Sequence, residues 1–192
     1  MIVLLHSKEL PEGANLETII KMIAAGFGTG YSPTAPGSVG TLVGIPIYLM
    51  LSHLSWPFHL LGIMIIIAIA VYTAGVAEGL GNYSHKNKSI FAGSVQKGSD
   101  ASSAQSYLKD PGWIVIDEIA GLQVTLFLIS PTLWHIVAGY LLFRFFDIFK
   151  VFPANLCETR FSGGYAIVMD DIVAGIYANI VLWALIRFAG IF

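Results

Sequence analysis

Asp170-Asp-Ile-Val-Ala-Gly-Ile-Tyr-Ala-Asn-Ile-Val-Leu-Trp-Ala-Leu-Ile-Arg187 is the stretch on which the fold turns. Two carboxylates stand ahead of an apolar run that ends near Arg187. The pattern recurs twice. Asp117 and Glu118 precede apolar residues 119–129, and the run at 133–150 carries Arg144, Asp147 and Lys150 at its far end. A carboxylate within a bilayer costs about 3 kcal/mol unless it is paired, metal-bound or facing a wet cavity. Five such acids in three segments point to a functional site rather than a structural salt bridge.

Composition agrees. The chain has 192 residues, 56% hydrophobic and 11% charged, with a mean hydropathy of +0.75. That is far more apolar than a soluble domain. At this length a single domain, 1–192, is expected. The net charge of -2 leaves no basic excess to hold nucleic acid. One cysteine, Cys157, excludes an internal disulfide and a multi-cysteine metal site. Residues 1–17 do not read as a cleavable signal, so membrane entry falls to internal segments.

Further apolar runs occupy 41–54 and 58–82, joined by a turn at Trp56-Pro57. Helical spacing of Ile19, Ile20, Ile23 and Phe27 predicts a short helix over 18–27, lying in or on the membrane. Two prolines and four glycines predict a loop over 28–40. The polar stretches 83–112 and 151–169 also read as connections, the first with at most a short helix. Together these segments predict an all-α, multi-helix integral membrane bundle. Residues 119–130 are too few to span, because a crossing takes about 20 apolar residues. With the turns at 53–58 and 130–132 on one side, nine of the ten Lys and Arg fall on the other, Arg187 excepted. The excess of positive charge assigns that side to the cytoplasm. All five acids end there, so the active site is expected at the cytoplasmic face, at headgroup depth.

Clustered hard oxygens at helix ends suit Mg²⁺, which takes one or two carboxylates together with substrate phosphate and water. Asp117, Asp147, Asp170 and Asp171 are the expected ligands of one or two Mg²⁺, with Glu118 a further ligand or a base. Gly121 and Gly175 follow Asp117 and Asp171 by one helical turn and allow close helix approach. Taken singly, each acid could instead be a helix cap. Arg144 and Lys150, with Arg160 a further candidate, can neutralise a phosphate monoester. The 28–40 loop offers backbone amides and the hydroxyls of Thr29, Ser32 and Ser38 to phosphate oxygens. His53, His59 and His135 lie toward the opposite face, and His85 is isolated. Cys157 and Arg160 are too close for the loop of a cysteine phosphatase, and no Asp-x-Asp-x-Thr run is present. Metal-activated water remains.

Four blocks carry a resemblance. They are Gly26-Phe-Gly-Thr-Gly-Tyr-Ser-Pro-Thr-Ala-Pro-Gly-Ser-Val-Gly40, Ile114-Val-Ile-Asp-Glu-Ile-Ala-Gly121, Phe143-Arg-Phe-Phe-Asp-Ile-Phe-Lys150 and Gly163-Gly-Tyr-Ala-Ile-Val-Met-Asp-Asp-Ile-Val-Ala-Gly175. In this order they resemble the phosphatidylglycerophosphatase A family, although Val151 stands where that family has proline. The resemblance implies a Mg²⁺-dependent, multi-pass enzyme of the bacterial cytoplasmic membrane. It would remove the terminal phosphate of phosphatidylglycerophosphate to give phosphatidylglycerol. Its partners would be that substrate and the surrounding lipids, with the oligomeric state open. Two other readings of the residues stand beside it. A transporter or channel also carries intramembrane acids, but near the midplane. A non-catalytic lipid-binding protein would keep its binding with the carboxylates neutralised. A third, transfer of an alcohol to an activated lipid, finds no nucleotide-binding motif here.

Overall fold

A computed structural model describes residues 12–92, 112–149 and 164–188. Their regular structure is entirely helical: α1 Glu12–Ala24, a 3-10 turn Gly26–Tyr31, α2 Pro36–Ser52, α3 Trp56–Ala92, α4 Ile116–Thr125, α5 Leu133–Phe149 and α6 Gly164–Phe188. Lys150, Cys157, Glu158 and Arg160 lie outside the described residues.

Several boundaries differ from the sequence expectation, each for a local reason. Residues 36–40 are helix rather than loop. Pro36 occupies the first helical position, where its missing N–H is not needed. Residues 83–92 continue α3, since no glycine or proline interrupts them. The first helix ends at Ala24, and the chain then turns through Phe27 at φ 57°. α6 begins at Gly164, so Asp170 and Asp171 lie about 9 Å inside it rather than at its start.

Within α3 and α6, Trp56–Gly79 and Gly164–Phe188 are long and apolar enough to cross a membrane, and α2 is a shorter apolar helix. Met64, Ile65 and Ile69 on α3, Leu141 and Phe145 on α5, and Ile180 and Trp183 on α6 face outward. So broad an exposed apolar surface is solvated by lipid rather than water. The fold is that of a membrane protein.

α4 sits differently. At ten residues it is about 15 Å long and cannot span. Both its ends lie inside the bundle, and the backbone after Thr125 is irregular. Carbonyls freed there need donors, because lipid supplies none. Neighbouring helices provide them. The Asn179 amide donates to the carbonyls of Thr125 at 2.8 Å and Phe127 at 2.9 Å. The Tyr48 hydroxyl donates to Ile129 at 2.6 Å. His135 Nδ1 lies 2.9 Å from the Ser130 carbonyl. Gln123 returns the favour, donating from α4 to the Gly44 carbonyl of α2 at 2.8 Å.

Packing closes the frame. α4 and α6 meet backbone on backbone, and a Cβ on Gly175 would run into the Gly121 carbonyl. Ala70 and Ala74 of α3, Ile116, Ile119 and Ala120 of α4, and Ile167 and Val168 of α6 form one core. Tyr48, Leu122, Leu126, Phe143, Ala178 and Leu182 form the second. The turns after α2 and α4 lie at one end of the bundle, where the His59 ring meets Phe127 at 5.4 Å between centroids. The first turns of α2 and α4 therefore lie together at the other end.

Asn179→Leu keeps the volume but removes the donor to two part-buried carbonyls. We expect it to lower stability by about 1–3 kcal/mol, read as a fall in Tm of the detergent-solubilised protein. An unchanged Tm would show that Asn179 does not carry the end of α4.

Candidate active site

The acid-bearing segments converge on one cavity of about 300 Å³. Asp117 and Glu118 enter from the first turn of α4, Arg144 and Asp147 from the end of α5, and Asp170 and Asp171 from the second turn of α6. Ala35, Pro36 and Gly37 close one side, and Gly112, Ile114 and Ile167 complete the wall. All five expected acids and Arg144 are thus brought together by residues as far apart as 117 and 171.

Helix placement argues against a capping role for the α6 pair. Asp170 and Asp171 are buried and lie beyond the first turn, past the four amides at the helix start that a cap serves. Asp117 and Glu118 do sit in a first turn, where the helix dipole favours negative charge. Asp147 near the C-terminal end of α5 is disfavoured by that same dipole. Its partner is Arg144, one turn back, at 2.6 Å, and Arg144 also lies 3.9 Å from Glu118.

Three carboxylates form a tighter group. Ligand oxygens of Asp117, Glu118 and Asp171 all lie within 4.8 Å of one another. Asp117 Oδ1, Glu118 Oε2 and Asp171 Oδ2 are buried and have no hydrogen-bond partner. Burial pushes the Asp117 carboxyl well above the ordinary carboxylate range, and the neighbouring Glu118 and Asp171 push it further. Burial also raises Glu118, against the pull of Arg144. Orphaned anionic oxygens this close call for a cation. Oxygens on opposite sides of a Mg²⁺ are about 4.2 Å apart, so the group fits a divalent ion with small adjustment. Its members differ from the expected quartet: Glu118 joins Asp117 and Asp171, while Asp147 holds Arg144. Asp170 accepts the Asp171 amide at 3.1 Å.

The phosphate loop divides in two. Thr29 donates its hydroxyl to the Gly26 carbonyl at 2.8 Å, and Ser32 donates to Thr34 at 3.0 Å. Neither lines the cavity, and nor does Ser38, whose carbonyl accepts from the Tyr140 hydroxyl at 3.2 Å. The part that does reach the cavity is Ala35–Gly37, the entry to α2. Ala35 takes φ 47°, a left-handed conformation rare for a residue with a side chain. A Cβ on Gly37 would strike the Glu118 carboxylate and lie 3.3 Å from both terminal nitrogens of Arg144. Sequence reasoning missed this position. The Pro-Gly pair was a signal, since proline favours the first helical position.

Outward-facing apolar helices around a pocket lined by five carboxylates and Arg144 define a membrane-embedded protein with an acidic cavity at one end of its bundle. Comparison with known proteins gives the family. The family model for phosphatidylglycerophosphatase A matches residues 22–92 and 94–186. The phosphatidylglycerophosphatase A of Escherichia coli K12 is 30% identical over 84% of this chain and 80% of its own length. That of Haemophilus influenzae Rd is 35% identical over 86% and 88%. A protein of Bacteroides thetaiotaomicron named putative phosphatidylinositol-3-phosphatase is 30% identical over 84% and 89%. No solved structure matches. The chain belongs to the phosphatidylglycerophosphatase A family, which places it among phosphatases.

Gly37→Ala puts a methyl group between Glu118 and Arg144. A misplacement of this size can cost about 100-fold in rate. We expect phosphatase activity to fall toward that extent with Tm unchanged. Full activity in the variant would show that α2 does not form the wall of the working site.

Proposed function

We propose that the protein hydrolyses the terminal phosphate monoester of phosphatidylglycerophosphate, giving phosphatidylglycerol and inorganic phosphate, with Mg²⁺ as its cofactor. The observation that carries this reading is the trio Asp117, Glu118 and Asp171, with unpartnered oxygens, facing Arg144 in one cavity. The family match and the two relatives of that name supply the substrate.

In this reading Asp117, Glu118 and Asp171 hold the cation, and Asp147 and Asp170 stand in the same wall. A divalent cation there supplies Lewis-acid polarisation of the phosphoryl group and lowers the pKa of water. Arg144 offsets charge on the phosphoryl oxygens during transfer, and Lys150, the next basic residue on that segment, is proposed to share the task. Water attacks phosphorus, and the bond from phosphorus to the glycerol oxygen breaks. The proton of the attacking water passes to a carboxylate of the same wall that does not hold the cation, with Asp170 the candidate, and from there to the leaving oxygen, which becomes the glycerol hydroxyl. The entry to α2 covers the phosphate side, with residues 28–34 packed behind it. The count of basic residues supports a multi-pass protein of the bacterial cytoplasmic membrane with this end toward the cytoplasm.

The test is phosphate release from phosphatidylglycerophosphate in detergent micelles by purified protein. Mg²⁺ should support release, and EDTA should abolish it. Asp171→Asn should reduce it by about 100-fold or more while the protein remains folded. Release that ignores EDTA would remove the cation from the mechanism. Faster release from phosphatidylinositol 3-phosphate would move the substrate to that suggested by the Bacteroides relative's name.

A further inference from the structure

Among the described residues, the charge of the pocket does not balance with a single cation. Five carboxylates line it, and Arg144 is the one basic side chain among the described residues that does so. A phosphate monoester adds about two more negative charges near neutral pH. One divalent ion and Arg144 would leave that assembly strongly anionic in a largely buried site, where like charges repel far more than in water. Lys150 would remove only one of those charges.

Asp171 stands at the middle of the problem. It is 4% exposed, and its Oδ2 faces the cavity with no hydrogen-bond partner. Asp117 and Glu118 lie on one side of it, within the 4.8 Å group. Asp147 and Asp170 also lie close to its carboxyl. A carboxylate offers two oxygens with about four lone-pair sites, enough to serve two ions. Asp147 Oδ2 is engaged by Arg144, which leaves Oδ1 to give. The cavity of about 300 Å³ equals the volume of about ten water molecules. That accommodates two ions, their remaining waters and a phosphoryl group.

We infer that the pocket takes a pair of divalent cations, with Asp171 as the carboxylate they share. Asp117 and Glu118 complete one position, and Asp147, with Asp170 beside it, serves the other. Two ions about 3.5–4 Å apart clamp the attacking and the leaving oxygen of an in-line displacement. The inference rests on the cation reading above and goes beyond it in number and in the role of Asp171. Protons on the carboxylates would balance the charge equally well, but would bring no second metal.

Mn²⁺ titration of the purified, detergent-solubilised protein, followed by electron paramagnetic resonance without substrate, separates these cases. The expected result is about two Mn²⁺ per chain with a spin-coupled signal. Asp147→Asn should retain a single, uncoupled ion. Asp171→Asn should lose the coupled signal, and Asp171→Glu should keep bound Mn²⁺. A single Mn²⁺ in the folded wild type overturns the pair and leaves the cation reading standing. No bound Mn²⁺ overturns both. A coupled pair that survives Asp171→Asn overturns the bridging role. Should Asp171→Asn fail to fold, the wild-type stoichiometry and coupling decide alone.

Discussion

A helix too short to cross the membrane governs this structure. α4 has ten residues, so its polar ends cannot reach water on both sides and must be satisfied within the bundle. At its C-terminal end the demand is for donors, and Asn179, Tyr48 and His135 meet the carbonyls of Thr125, Phe127, Ile129 and Ser130. At its N-terminal end the free amides face the acidic cavity, with Asp117 and Glu118 in the first turn. The Gly121–Gly175 contact joins the two ends. It fixes how closely α4 lies on α6, and hence how near Asp117 comes to Asp171 one turn away. Fold and site are therefore consequences of one short segment.

The electrostatics follow from the same placement. A lone buried carboxylate can shed its charge by taking up a proton, and burial drives Asp117 and Glu118 in that direction. Five together are costly unless cationic charge repays them, and among the described residues Arg144 alone in the wall supplies it. Arg144 pairs with Asp147 and reaches Glu118, which still leaves Asp117 Oδ1 and Asp171 Oδ2 buried without a partner. A transporter would place its acids near the midplane on interrupted helices. Here they gather at one end of the bundle, against the first turns of α2 and α4, away from its middle.

Much of this was legible in the sequence, for identifiable reasons. Acids at the edges of apolar runs announced the site, because membrane burial leaves charge few other uses. The insufficiency of 119–130 for a span announced the half-helix. What was not legible depended on three-dimensional neighbours. Periodicity could not show that 36–40 is helical, since proline and glycine counts describe breakers without their position in the turn. Nor could it show that α6 begins at Gly164, because residues 165–169 are apolar and continue the pattern without a mark. The hydroxyls of Thr29 and Ser32 looked available for phosphate, yet local carbonyls take them. Glu118 was expected as a further ligand or base, but its place in the tight group with Asp117 and Asp171 in place of Asp147 was not. Arg144 sits one turn from Asp147 and claims it, a preference that only side-chain geometry reveals.

The cavity wall bears on selectivity. Apart from the acids and Arg144 it is made of Ala35, Pro36, Gly37, Gly112, Ile114 and Ile167. Not one of these side chains can hydrogen-bond a hydroxyl. A site discriminates strongly among polyols only when it holds buried polar groups that the wrong ligand leaves unpaired. On the proposed function, these six described residues offer no side chain that would tell glycerol from inositol. Under that reading, headgroup choice would come from residues other than these six.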